Sequence, residues 1–174
     1  EVVGWGREEL DITNEQEVME KISALKPGAI FNCAAYNNVD KAEDEPELAK
    51  AINGEAVGYI ARAAADCGAA FVYFSTDYVF SGQQQNGYHE EDPPDPISVY
   101  GQSKALGEQR MVAFPHDREE MQPWYIVRTS KLFGPPGTGA TSKKSFPEIM
   151  IKVAKEKGKV EAVDAEAEAR KKAA

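Results

Sequence analysis

Short apolar runs alternate with longer stretches whose apolar residues recur at helical spacing, and this alternation limits the fold more than any other feature of the chain. Ala29–Asn32 (AIFN), Phe71–Phe74 (FVYF) and Trp124–Val127 (WYIV) read as buried strands, with Glu1–Gly4 (EVVG) as a fourth and Leu10–Thr13 (LDIT) as a further short apolar piece. Asn14 predicts an N-cap, with Glu17 three residues on, for a helix running to about Leu25 that Lys26-Pro27-Gly28 ends. Pro46 fits the first turn of a long helix with apolar positions at Leu48, Ala51, Ile52, Val57, Ile60, Ala61 and Ala64, stopped near Gly68. Further helices are expected over about Val99–Ala113 and around Phe146–Lys157. Ser81–Pro96 and Gly134–Lys144 read as loops, and Ala165–Ala174 (AEAEARKKAA) as a solvated, helix-prone end. Strand and helix in alternation give an α/β protein with a parallel sheet and helices on both faces. Ligands bind such sheets beyond the carboxyl ends of the strands, so the loops after Asn32, Phe74 and Val127 are the segments to search.

Composition narrows the partners. The 174 residues are enough for one ordinary domain with a real core. With 29 Asp and Glu against 20 Lys and Arg, the net charge of −9 repels nucleic-acid backbones and anionic membranes, and neither is expected as a partner. No apolar run approaches the ~20 residues that span a bilayer, and the N-terminus carries no signal-peptide pattern. Cys33 and Cys67 form no CxxC pair, so a reduced, cytoplasmic setting without a metal site is expected.

Three segments carry chemistry. Tyr100-Gly-Gln-Ser-Lys104 places a phenol and an ammonium at i and i+4, on one face of a helix. A phenol of pKa near 10 is a poor acid–base at neutral pH, and a nearby ammonium lowers that value toward a working range. The plain alternative is a surface helix pair. Ser75-Thr76-Asp77 begins where the strand Phe71–Phe74 stops. It offers a hydroxyl and a carboxylate at the sheet's ligand-binding end, or else an ordinary strand-end turn. Asn32-Cys33-Ala34-Ala35-Tyr36 puts small residues directly after a strand, where a flat ligand can approach the backbone, or where strand and helix simply pack tightly.

Taken in order, LDITN, NCAAYNNVDKAEDEPELAKAING, STDYVFSG, YHEEDPPDPISVYGQSKALGEQ and VRTSKLFGP resemble the extended short-chain dehydrogenase/reductase superfamily. The resemblance is strongest to its dTDP-4-dehydrorhamnose reductase-like sugar-nucleotide reductases, and it covers Leu10 to about Pro135. It implies a Rossmann-type, three-layer, doubly wound parallel sheet. Residues 1–133 would form a dinucleotide-binding domain, incomplete at its N-terminus, and residues 134–174 the start of a substrate region with a helical tail. The implied activity is NAD(P)H-dependent reduction of a 4-keto-6-deoxy nucleotide sugar in deoxysugar or polysaccharide synthesis. Tyr100 would donate the proton, Lys104 would lower the tyrosine pKa and hold the nicotinamide ribose, and Thr76 would bind the reacting oxygen with Asp77 beside it. Ala35, Tyr36, Asn37 and Phe74 would lie along the cofactor, and Asp11 and Ile12 would flank the adenine. Asn53 corresponds to a helix asparagine of the family, suited equally to supporting the sheet and to touching ligand.

Cofactor choice is read at Gly4-Trp5-Gly6-Arg7, which has no carboxylate to grip a ribose 2′-hydroxyl until Glu8. Arg7 can pair with a 2′-phosphate, which favours NADP over NAD, although a surface arginine fits the pattern nearly as well. The chain also departs from the family. No Gly-rich phosphate turn precedes Glu1, and Lys131 stands where relatives carry tryptophan, replacing a stacking surface for the sugar with a cation. The expectation is therefore a part of a longer enzyme, with an inactive short form as the alternative; a homodimer is compatible with either. Two further functions share the pattern: a nucleotide-sugar epimerase or dehydratase, and a non-catalytic nucleotide-binding subunit that regulates a partner.

Overall fold

Asn14 accepts a hydrogen bond from the Glu17 N–H at 3.2 Å and so opens helix α1 (Glu15–Leu25), as its spacing predicts. Lys26 closes α1 in the left-handed conformation (φ 49°), donating its N–H to the Ile22 carbonyl. Then follow strand β1 (Ala29–Asn32), a short helix α2 (Val39–Asp44) capped by Asn38, and helix α3 (Pro46–Lys50). A π turn at Ala51–Glu55 joins α3 to α4 (Ala56–Cys67), which Gly68 ends at φ 68°. Strand β2 (Ala70–Thr76), a 3₁₀ turn (Asp77–Val79), helix α5 (Val99–Val112) and strand β3 (Trp124–Thr129) complete the order. The structure is a computed structural model that describes residues 1–113, 123–130, 132, 134, 151–152 and 155–156. It divides into two compact units, Glu1–Arg128 and Thr129–Ala174.

The sheet is parallel, with β2 central in the order β1-β2-β3. Ala29 pairs with Ala70 and Asn32 with Tyr73. Strand alternation separates the two faces. Phe71 and Tyr73 of β2 point into one core with Val18 and Ile22 of α1, Val57, Ile60 and Ala64 of α4, and Met111 of α5. Ile30 of β1 and Trp124 and Ile126 of β3 pack against the same cluster. Burying each large apolar side chain here contributes roughly 1.5–3 kcal/mol. The described helices thus cover one face of the sheet, while Phe31 and Tyr125 on the other face are 63% and 52% exposed. This is a partial Rossmann-like sheet.

The strand expected at Glu1–Gly4 does not form. Residues 1–6 have no regular structure, and Val2 is 96% exposed. A strand needs a neighbour to satisfy its backbone groups, and no described strand lies beside this segment. Leu10–Thr13 is likewise turn rather than strand, yet Leu10 is buried and Ile12 packs against the core.

In the second unit, residues 151–152 and 155–156 are helical, and Lys152 lies 3.6 Å from Glu156. Lys131, the rest of the expected loop and helix between 135 and 157, and the tail Ala165–Ala174 lie outside the described residues. Among the described residues no helix is long and apolar enough to cross a membrane.

Candidate active site

The apolar strand β2 ends in Ser75 and Thr76, both buried at its carboxyl end. Thr76 Oγ1 accepts from the Tyr78 N–H at 3.2 Å and donates to Asp77 Oδ1 at 3.1 Å, capping the 3₁₀ turn. Helix α5 begins against this turn. Ser98 Oγ accepts from the Gly101 N–H at 3.1 Å, and Glu43 Oε1 of α2 accepts from the Val99 N–H at 2.9 Å. Gly101 lies so close to the Tyr78 carbonyl that a Cβ there would collide with it. This close approach brings the half-buried Tyr100 to Thr76, its ring edge-on to Tyr78 at 5.6 Å and 79°. Burial raises the Tyr100 pKa above that of a free phenol. The Thr76 hydroxyl, hydrogen-bonded to the ring oxygen, draws it back, and the charges of Asp77 and Tyr78 raise it further.

Lys104 sits one turn beyond Tyr100 on the same helix face and is only 2% exposed. Its Nζ donates to the Phe74 carbonyl at 2.6 Å and lies 4.2 Å from the centroid of the Tyr73 ring. Burial disfavours the ammonium and pushes its pKa down to about 8, with the Glu108 carboxylate opposing the shift. The lowering of the Tyr100 pKa expected from Lys104 is not found: the ammonium is turned toward Phe74 and Tyr73, and the causes acting on Tyr100 are burial, Thr76, Asp77 and Tyr78, with a net rise.

The π turn brings the loop after β1 to the same place. Asn53, 1% exposed, accepts from the Tyr36 N–H at 2.8 Å and donates to the Tyr36 carbonyl and to Ser103 Oγ, both at 3.0 Å. Ser103 Oγ donates in turn to the Tyr100 carbonyl at 2.7 Å. A π turn loosens the i→i−4 ladder, and the Asn53 carbonyl accepts from the Tyr73 hydroxyl at 2.9 Å. Ala35 and Tyr36 are half-buried and Asn37 is exposed. The Tyr36 hydroxyl donates to Glu45 at 2.7 Å, which raises its pKa. At the end of β1, Asn32 Oδ1 accepts from the Ala34 N–H, while the buried Nδ2 has no partner.

Thr76, Asp77, Phe74, Tyr100 and Lys104 therefore converge at the end of β2, with Tyr36, between Ala35 and Asn37, linked to Tyr100 through Asn53 and Ser103. Arg7, Asp11 and Ile12 belong to the segment before α1. Asp11 Oδ1 accepts from the Thr13 N–H at 3.0 Å and the Thr13 hydroxyl at 2.7 Å, and these bonds lower its pKa. Arg7 is exposed in a turn, and Ile12 lies against the core. The hydrogen bonds of these three residues do not reach the group around Tyr100.

Ser103, Tyr73 and Glu43 join the site although no motif marks them. The one local signal for Ser103 is its position directly before Lys104, on a helix with few apolar residues to bury.

The family model described as the RmlD substrate binding domain matches residues 1–169. A dTDP-4-dehydrorhamnose reductase of Burkholderia thailandensis is 37% identical over 163 residues, covering 94% of this chain and 51% of that protein. A Streptomyces griseus protein of the same name is 39% identical over 142 residues, covering 82% and 45%. The crystal structure of a Bacillus anthracis dTDP-4-dehydrorhamnose reductase in complex with NADP superposes with a TM-score of 0.77 at 39% identity, covering 90% of this chain and 51% of that one. The chain spans about half the length of the curated relatives it matches. With its motifs, its parallel sheet and a family match over nearly every residue in agreement, this chain belongs to the RmlD substrate binding domain family.

Proposed function

We propose that the chain carries the proton-donating half of an NAD(P)H-dependent reductase acting on a 4-keto-6-deoxy nucleotide sugar. The observation that carries this reading is the convergence of the Thr76 hydroxyl, the Tyr100 phenol and the buried Lys104 at the end of β2. Tyr100 carries its proton at neutral pH, as a phenol does and the more firmly for being buried, and delivers it to the ketone oxygen as the carbonyl is reduced. The Thr76 hydroxyl shares that oxygen and holds the phenol in place, and exposed Asp77 faces the sugar. Lys104, cationic near neutral pH and anchored on the Phe74 carbonyl, holds the nicotinamide ribose.

The residues present fit a dinucleotide. Asn32 Nδ2 is a buried donor without a partner at the end of β1, and the small Ala34 and Ala35 beside it leave the backbone open to a flat ring. Ala35, Tyr36, Asn37, Phe74 and Lys104 would hold the nicotinamide end, Asp11 and Ile12 the adenine, and Arg7 a 2′-phosphate, which favours NADP over NAD. When bound, the reduced nicotinamide supplies the hydride. Lys131 remains the proposed cation on the sugar side.

The test uses the protein as its host produces it, mixed with NADPH, then with NADH, and with dTDP-4-dehydrorhamnose. Consumption of NADPH matched by loss of the keto sugar supports the reading, and a Tyr100→Phe variant that turns over undiminished overturns it. Tightly retained cofactor with no net consumption would identify an epimerase or dehydratase instead. Stable complex formation with another enzyme and no turnover would identify a regulatory subunit.

A further inference from the structure

Helix α5 presents Tyr100, Lys104 and Glu108 at successive turns of one face, and Glu108 is as deeply buried as the lysine, 4% exposed. Its carboxylate accepts three hydrogen bonds. Ser75 of β2 donates to Oε1 at 2.6 Å, while Arg128 of β3 donates from Nε to Oε1 at 3.0 Å and from Nη2 to Oε2 at 2.7 Å. Arg128 is itself fixed, with Nη1 donating to the Glu90 carbonyl at 3.2 Å and the guanidinium 4.9 Å from the Phe80 ring centroid. Ser75 immediately precedes Thr76, and Phe80 closely follows the 3₁₀ turn that Thr76 caps. One carboxylate thus ties the helix of Tyr100 and Lys104 to both strands beneath it and to the loop beside it.

A bidentate Arg–carboxylate pair fixes orientation as well as distance, which a purely apolar contact does not. We propose that Glu108, clamped by Ser75 and Arg128, is a positioning residue that holds α5 in register with the end of β2 and supplies the anion beside the Lys104 ammonium. Its purpose in ketone reduction rests on the function proposed above, whereas the clamp and its effect on Lys104 do not. Among the described residues, the titratable groups facing Lys104 and Tyr100 are Tyr73 from β2, Asp77 and Tyr78 from the 3₁₀ turn, and Glu108 from α5, beside the Thr76 hydroxyl and the Phe74 carbonyl. Glu108 is the one fixed anion among them that acts on the lysine.

The direction of change separates this role from a merely structural one. Loosened packing would admit water to Lys104 and raise its titration midpoint toward that of a free lysine. Loss of the anion in intact packing would lower it below about 8. The experiment is an NMR titration of the Lys104 ε-carbon in lysine-labelled protein, assigned with a Lys104→Arg variant, on the wild type and on Glu108→Gln. It needs neither cofactor nor substrate, so its outcome is independent of the reductase assay. The expected result is a fall of about one pH unit in the Lys104 midpoint with the amide spectrum otherwise preserved. A midpoint unchanged or raised overturns the proposal. Should Glu108→Gln fail to fold because Arg128 is left unpaired, the Glu108→Gln, Arg128→Gln protein is read against Arg128→Gln, so that the guanidinium is absent from both. A midpoint lower in the double variant than in Arg128→Gln supports the proposal, and one equal or higher overturns it.

Discussion

Lys104 Nζ donates to the Phe74 carbonyl across 2.6 Å, so the ammonium end of the YxxxK pair is anchored on β2 rather than free in solvent. A buried cation held by one carbonyl and one ring face makes the helix sensitive to proton concentration.

Because burial lowers the Lys104 pKa from 10.5 to about 8, the unfolded chain binds this proton more tightly than the folded one. The associated stability is fully present above the unfolded value and is lost as pH falls through the folded value. Between those limits, raising pH should stabilise the wild type by about 3 kcal/mol relative to Lys104→Met. Denaturant unfolding of both proteins across that range checks it; parallel curves would contradict it.

Replacing Tyr100 by Phe removes the hydroxyl but keeps the ring packed on Tyr78. Turnover should drop by about 10²–10⁴-fold, as for loss of a general acid, while the melting temperature stays close to that of the wild type. Steady-state assays beside thermal melts measure both quantities.

Gly107 is where α5 meets the π turn, and a Cβ there would press on the Asn53 carbonyl and the Tyr73 hydroxyl. Both atoms already share a hydrogen bond. Gly107→Ala should therefore cost about 1–3 kcal/mol through overpacking, outweighing the gain in helix propensity. Equilibrium unfolding would reveal an error in sign directly.

Asn53→Ala strips three hydrogen bonds at once and leaves the Tyr36 N–H and carbonyl without their partner, while Ser103 keeps its bond to the Tyr100 carbonyl. We expect a loss of about 1–3 kcal/mol for each buried group left unsatisfied. The Tyr36 amide should become faster in hydrogen exchange, while amides at the far end of α4 stay protected.

The sequence made α1, β1, β2, α5 and β3 legible because each carries its own local signal. Asn14 and Glu17 form a cap, the strands are apolar runs, and Ser98 stands directly before Val99. The strand expected at Glu1–Gly4 depended on a neighbour, which no local pattern can supply. Helix α2 escaped notice because six residues capped by Asn38 have no room for a period. The meeting of Thr76 with Tyr100 was legible only through the order of motifs. The clamp on Glu108 was not legible at all, because the buried side of α5 consists of Gly101, Ser103, Lys104, Ala105, Gly107, Glu108 and Met111. An apolar stripe marks an ordinary core helix, whereas this helix is buried through glycines and paired charges.

The winding at Ala51–Glu55 accommodates one residue more than an α-helical ladder would. Letters upstream and downstream of it are consequently out of step, and any alignment to an uninterrupted helix should open a single gap there. Excising one residue from the turn would regularise the ladder, swing the Asn53 amide roughly 100° around the axis, and carry it away from Tyr36 while the helix itself survived.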